Sequence, residues 1–124
     1  MPKLPRIVRV IDTTTGVCLA ERAPVATSLW ARAKGLLGRS ELPAGEGLVL
    51  WPCTSVHCLG MRFPIDVLHV SKSGEVLRIL ANMRPYRIGP IVLRSHFAVE
   101  LPAGTAARCG VAVGHRIALE PVER

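Results

Sequence analysis

A chain of 124 residues suffices for one domain that buries about two thirds of the surface its unfolded form exposes, so folding requires neither metal nor disulfide staples. Hydrophobic residues at 49% and charged residues at 20% exclude a disordered chain, and no apolar run approaches the roughly 18 residues of a membrane span. The 16 basic and 9 acidic residues leave a net charge of +7, which suits an anionic partner or a solvated basic face.

Ile7 to Ile11 and Val17 to Ala20 are β-rich runs around Asp12-Thr13-Thr14-Thr15-Gly16, a turn-like cluster that predicts an N-terminal hairpin. After Pro24 a helix is expected from Thr27 or Ser28, whose hydroxyl can cap free N–H groups. Leu29, Trp30, Ala33, Leu36 and Leu37 repeat at helical spacing and Gly38 stops the run. Pro43 to Gly47 reads as a turn, Leu48 to Trp51 as a short strand halted by Pro52, and Cys53 to Pro64 as an irregular excursion. Ile65 to Val70 is β-like, Ser71 to Gly74 turns the chain, and Glu75 to Met83 sets Leu77, Ile79 and Ala81 against Val76, Arg78 and Asn82. That is a second hairpin.

Pro85, Gly89 and Pro90 make Arg84 to Ser95 a loop containing a short extended piece. Phe97 to Leu101 alternates, with Phe97, Val99 and Leu101 inward and Glu100 on the solvent side. Ala103 to Cys109 forms one or two helical turns, capped by Thr105 and closed by Gly110, before a last strand from Arg116 to Glu120. The whole is a single α+β domain over residues 1–124, mostly β. It is expected to be a curved, partly closed, barrel-like sheet of about seven short strands with one packed helix.

Three stretches resemble the domain of unknown function 192 family. Lys34 to Leu42, followed by Glu46-Gly47-Leu48-Val49-Leu50, is similar to the family's Gly-Leu-Met-x-Arg-x-x-Leu and Glu-Gly-Met-Leu-Phe blocks. Phe63 to Leu68 resembles its Ile-Pro-Leu-Asp strand entry, and Val99 to Thr105, with Arg108, Gly110 and Gly114, its closing Leu-Glu-Leu-x-Ala-Gly-Thr segment. Two places depart from the pattern: Val56 to Met61 stands where many members carry Phe-Trp-Met-Lys-Asn-Thr, and Gly114-His115 where many end in Gly-Asp. The resemblance implies no chemistry, since the family has no established activity.

The residues themselves therefore carry the functional reading. Asp66 lies in a strongly apolar stretch and must find donors or shift its pKa; Arg62 or the backbone N–H groups of a neighbouring loop would supply them. The alternative is a pocket where Asp66, His57 and Met61 meet Glu100 or Arg84 around a small ligand. Cys53 and His57 are weak metal candidates: adjacent His57 and Cys58 diverge in an extended segment, and a zinc set would need Cys109, His69, His96 or His115 from elsewhere. As a nucleophilic dyad Cys53 and His57 would be roughly 13 Å apart in a strand. No metal and no cofactor is expected, and the N–H groups at Gly104 and Thr105 lack the spacing of a phosphate loop.

The expected function is a non-catalytic binding or accessory module with a pocket near His57, Met61 and Asp66. Its partner would be a small molecule or a protein, with no membrane partner. The alternatives are a small-substrate enzyme using His57 and Asp66 for proton transfer, and a nucleic-acid binder using Arg78, Arg84, Arg87 and Arg94. The opening residues lack the apolar core of a secretory signal, so a cytoplasmic location and four reduced thiols, Cys18, Cys53, Cys58 and Cys109, are expected. Leu36→Ala should cost about 2 to 5 kcal/mol in chemical denaturation if Leu36 faces the core; a change within about half a kcal/mol would mean the helical face is misassigned.

Overall fold

The computed structural model describes residues 5–122 apart from 29, 30, 33, 34, 37, 59 and 60. Seven strands, β1 (Ile7–Asp12), β2 (Val17–Ala26), β3 (Leu48–Leu50), β4 (Ile65–Ser71), β5 (Val76–Met83), β6 (Ser95–Pro102) and β7 (Ile117–Pro121), form one curled half-barrel sheet. A short helix, α1 (Thr105–Cys109), packs at its end. The strand order is β5-β4-β6-β3-β2-β1-β7, antiparallel throughout except for β2 beside β3. The two outer strands approach each other where Glu75 bridges Arg116 and the N–H of Val76 donates to the His115 carbonyl. The sheet is thus nearly closed upon itself, which shortens its exposed edges.

Both expected hairpins are present, with Gly16 and Gly74 supplying the positive φ of their turns. The β1–β2 turn is held by Asp12: one carboxylate oxygen accepts from the Thr14 N–H, and the other lies 2.8 Å from His115 Nδ1. His115 therefore ties the turn to the approach of β7. In β5 the expected alternation is broken by register shifts opposite β4, so Val76 and Met83 are buried while Ala81 and Asn82 are exposed.

The helix expected near 27–38 falls partly on residues outside the described ones, namely Leu29, Trp30, Ala33, Lys34 and Leu37. In its described part, Ser28 Oγ accepts from the Ala31 N–H at 3.0 Å, the N–H groups of Arg32 and Gly35 donate to the Ser28 and Ala31 carbonyls, and Leu36 is buried. In α1 the cap differs from expectation. Gly104 is the N-cap, in a left-handed conformation with no side-chain cap bond, and the Thr105 oxygen instead accepts from the Arg108 guanidinium.

The core has two layers because the central strands are buried on both faces. On the inner face Val10, Leu68, Val70, Val99, Leu101 and Ala106 pack together. On the outer face Ile65, Val67 and Ala98 pack under Val56, Cys58 and Met61. All seven residues of β4 are buried. An antiparallel sheet with water on one face would show alternation instead. All four cysteines are free thiols.

Candidate functional site

The outer face of β4 and β6 is covered in part by two irregular segments that hydrogen-bond to each other. The Cys58 N–H donates to the Arg87 carbonyl and the Tyr86 N–H to the Cys58 carbonyl, both at 2.7 Å. Further along, the N–H groups of Gly89, Val92 and Cys53 donate to the Val56, Thr54 and His96 carbonyls. His57 and Ile88 form a β-bridge between the segments. Glycine is required at position 89, where a Cβ would meet the Val56 carbonyl oxygen at 3.0 Å. The backbone of this cap is thus paired largely within the cap.

Beneath it lies Glu100. Cross-strand pairing with Leu48 and Val67 places it on the outer face, where sequence alternation had put water. It is only 3% exposed and its Oε1 finds no hydrogen-bond partner among the described residues. The expectation of a solvent-side Glu100 is therefore corrected: it is buried in the outer layer, within electrostatic reach of Cys53 and Cys58. Burial pushes its pKa up to about 8, so the carboxyl is mostly protonated at neutral pH. Burial, with Glu100 nearby, also raises the Cys53 thiol and pushes Cys58 up to about 11, the opposite of an activated nucleophile.

Asp66 sits on the other face. It pairs across the sheet with Leu101, and its two carboxylate oxygens accept from the Asn82 N–H at 2.8 Å and the Ala106 N–H at 2.9 Å. It thereby fastens the end of β5 and the start of α1 to β4. The structure brings Met61 and Glu100 to the outer face, with His57 exposed in the cap above them and Arg84 exposed where the second segment leaves Met83. Asp66 is separated from these residues by the thickness of the sheet.

Two features had no sequence signal beyond residue type. His69 is buried on the outer face with Nδ1 2.9 Å from Ser95 Oγ, and Ser95 Oγ donates to the Cys53 carbonyl, so the cap is tied to β4 and β6. Burial, and then Arg78, lower the His69 pKa and keep the ring neutral. The second feature is the outer surface of the cap. Tyr86, Ile88, Ile91 and Leu93 are 69–86% exposed, among Arg84, Arg87 and Arg94, which are exposed as well. Arg78 lies apart from them, on β5. Among the described residues no group of three or more His, Cys, Asp or Glu side chains is placed to hold a metal ion.

The model of the family described as uncharacterized ACR, domain of unknown function 192, matches residues 10–119. A crystal structure of a protein of unknown function from Novosphingobium aromaticivorans is similar, with 27% identity, a TM-score of 0.76, and coverage of 90% of this chain and 83% of that one. A protein from Sinorhizobium meliloti provisionally described as a transcription regulator shares the fold, with 23% identity and a TM-score of 0.76 over 95% of this chain and 98% of that one. No protein with a curated description matches.

The buried carboxyl makes stability depend on pH. Glu100 is protonated in the folded state up to about pH 8, whereas in the unfolded chain it ionises near its ordinary 4.5. Its contribution is complete below the unfolded value and is lost as pH rises through the folded one. Glu100→Gln should remove a loss on the order of 4 kcal/mol between about pH 5 and pH 8 in denaturant titrations. Parallel wild-type and variant profiles would contradict the assignment.

Proposed function

The chain belongs to the uncharacterised domain of unknown function 192 family, and on that premise we propose that it is a non-catalytic binding module that docks a partner protein through the cap. The observation that carries this reading is the concentration of exposed apolar side chains there. Tyr86, Ile88, Ile91 and Leu93 are four of the six large hydrophobic residues exposed among the described ones, and they fall within eight positions. Clustered apolar side chains rimmed by charge mark interaction sites. Arg84, Arg87 and Arg94, with no acid between Glu75 and Glu100, suit a partner segment bearing both carboxylates and apolar anchors. The backbone pairing within the cap holds this surface in shape before binding, which lowers the ordering cost.

Glu100, Met61 and His57 support the surface from below and beside it. A proton-transfer enzyme built on His57 and Asp66 fits less well, because both Asp66 oxygens are taken by backbone N–H groups and the sheet lies between the two residues. Nucleic-acid binding through the arginines fits less well too, since three of the four exposed apolar side chains in the cap are aliphatic and offer no stacking surface. No helix among the described residues is long and apolar enough to cross a membrane. On this reading the module works without inserting in a membrane and in the cytoplasm, where its thiols stay reduced.

Photo-crosslinking in native cells tests the reading. A crosslinker at Leu93 should yield one or a few discrete protein adducts, while one at Val17, an exposed apolar residue of β2, should not. Ile88→Ser with Leu93→Ser should weaken the captured partner about tenfold or more without loss of fold. Adducts that are absent, or equal from both positions, would contradict it.

A further inference from the structure

The curled sheet has two ends, and they are finished differently. At the end where Asp66 pairs with Leu101, α1 closes the inner face: Ala106 is buried in the inner core and its N–H is held by Asp66. At the opposite end β6 begins and β4 runs into the Lys72-Ser73-Gly74 turn. There a cavity of about 290 Å³ opens to solvent. The mouths of curled β-sheets are common places for small ligands.

Two aromatic rings form one wall of this mouth. Trp51 stacks on Phe97 with ring centroids 4.8 Å apart and planes inclined by 15°, and the His96 ring meets Trp51 edge-on at 4.8 Å. Val8, Val25, Ile117 and Leu119 line the remainder of the apolar surface. Among the described residues Lys72 is the one ionisable side chain in the lining, and it stands at the rim beside Ser73. The Ser73 carbonyl accepts from the Arg116 guanidinium at 3.1 Å, which ties the turn to β7.

An apolar wall that contains the Trp51–Phe97 stack, with the Lys72 ammonium at its edge, selects an apolar body bearing a negative charge. We propose that the barrel mouth is a binding site for a small aromatic monocarboxylate, its ring beside the Trp51–Phe97 stack and its carboxylate at Lys72. The chemistry excludes close alternatives. A neutral analogue would forgo the contact with the ammonium, and a second carboxylate directed inward would meet valine and isoleucine side chains without a donor. The volume lies near the lower limit of ligand pockets, roughly 300 Å³, so a single ring fits and a nucleotide does not. The net charge of +7 favours the approach of anions. This site is independent of the cap surface and stands whether or not that surface binds a protein.

Amide and indole chemical shifts of the full chain, titrated with benzoate, benzyl alcohol and phthalate, test the proposal. Benzoate should shift the Trp51 indole and the Gly74 and Phe97 amides saturably, with a Kd of about 1 mM or tighter, as expected for a ligand of this size. Benzyl alcohol and phthalate should bind about fivefold more weakly or worse, since loss of one charge-assisted contact costs about that much. Lys72→Gln should reduce benzoate to the level of benzyl alcohol, and Lys72→Arg should retain most of the binding. Shifts that do not saturate, that lie away from the mouth, or that persist unchanged in Lys72→Gln would overturn it.

Discussion

The central strands β4 and β6 are buried on both faces. Curling covers the inner face with the sheet itself. Beside Ala31, Leu36 and Leu42, much of the outer face is covered by chain that is neither helix nor strand, and such chain carries backbone N–H and C=O groups that cannot be buried unpaired. The 53–58 and 86–96 segments meet this constraint by bonding to each other, with the His57–Ile88 bridge between them. Glu100 is enclosed, Cys58 and Met61 are turned into the outer core, and the apolar side chains of the second segment that find no room beneath it face outward.

Local patterns disclosed the strands and turns because those depend on residues near one another in sequence. The alternation of β1, the Asp12 to Gly16 turn and the Gly110 stop of α1 are of this kind. Glu100 was not legible: alternation says which side of a strand a residue takes, and only the pairing of segments some thirty residues apart decides whether that side meets water. Asp66 was half legible. A carboxylate in an apolar strand announces that it needs donors, but its donors come from Asn82 and Ala106, 16 and 40 positions away. The loop character of residues 84–95 was plain from Pro85, Gly89 and Pro90; the outward projection of Ile91 and Leu93 was not, since composition cannot distinguish a loop that tucks its apolar residues under from one that presents them.

The chemistry of the buried groups agrees with a binding role. Cys53 and Cys58 are raised rather than activated, His69 is kept neutral and engaged with Ser95, and the carboxylate best placed by sequence for proton transfer is spent on holding α1 and β5. What the fold offers to solvent is shape: an apolar and basic cap on one face and an aromatic-walled mouth at one end. Each is positioned by contacts that belong to the sheet.

The account depends on the cap being ordered before any partner arrives, and native-state hydrogen exchange measures this directly. The amides of Cys58, Gly89 and Val92 should exchange on the order of a thousandfold more slowly than in an unstructured chain, approaching the amides of β6, although they lie outside regular secondary structure. Exchange of these three amides at the rate of an unstructured chain would mean that the cap is open in the free protein, and that the buried state of Glu100 does not hold in solution.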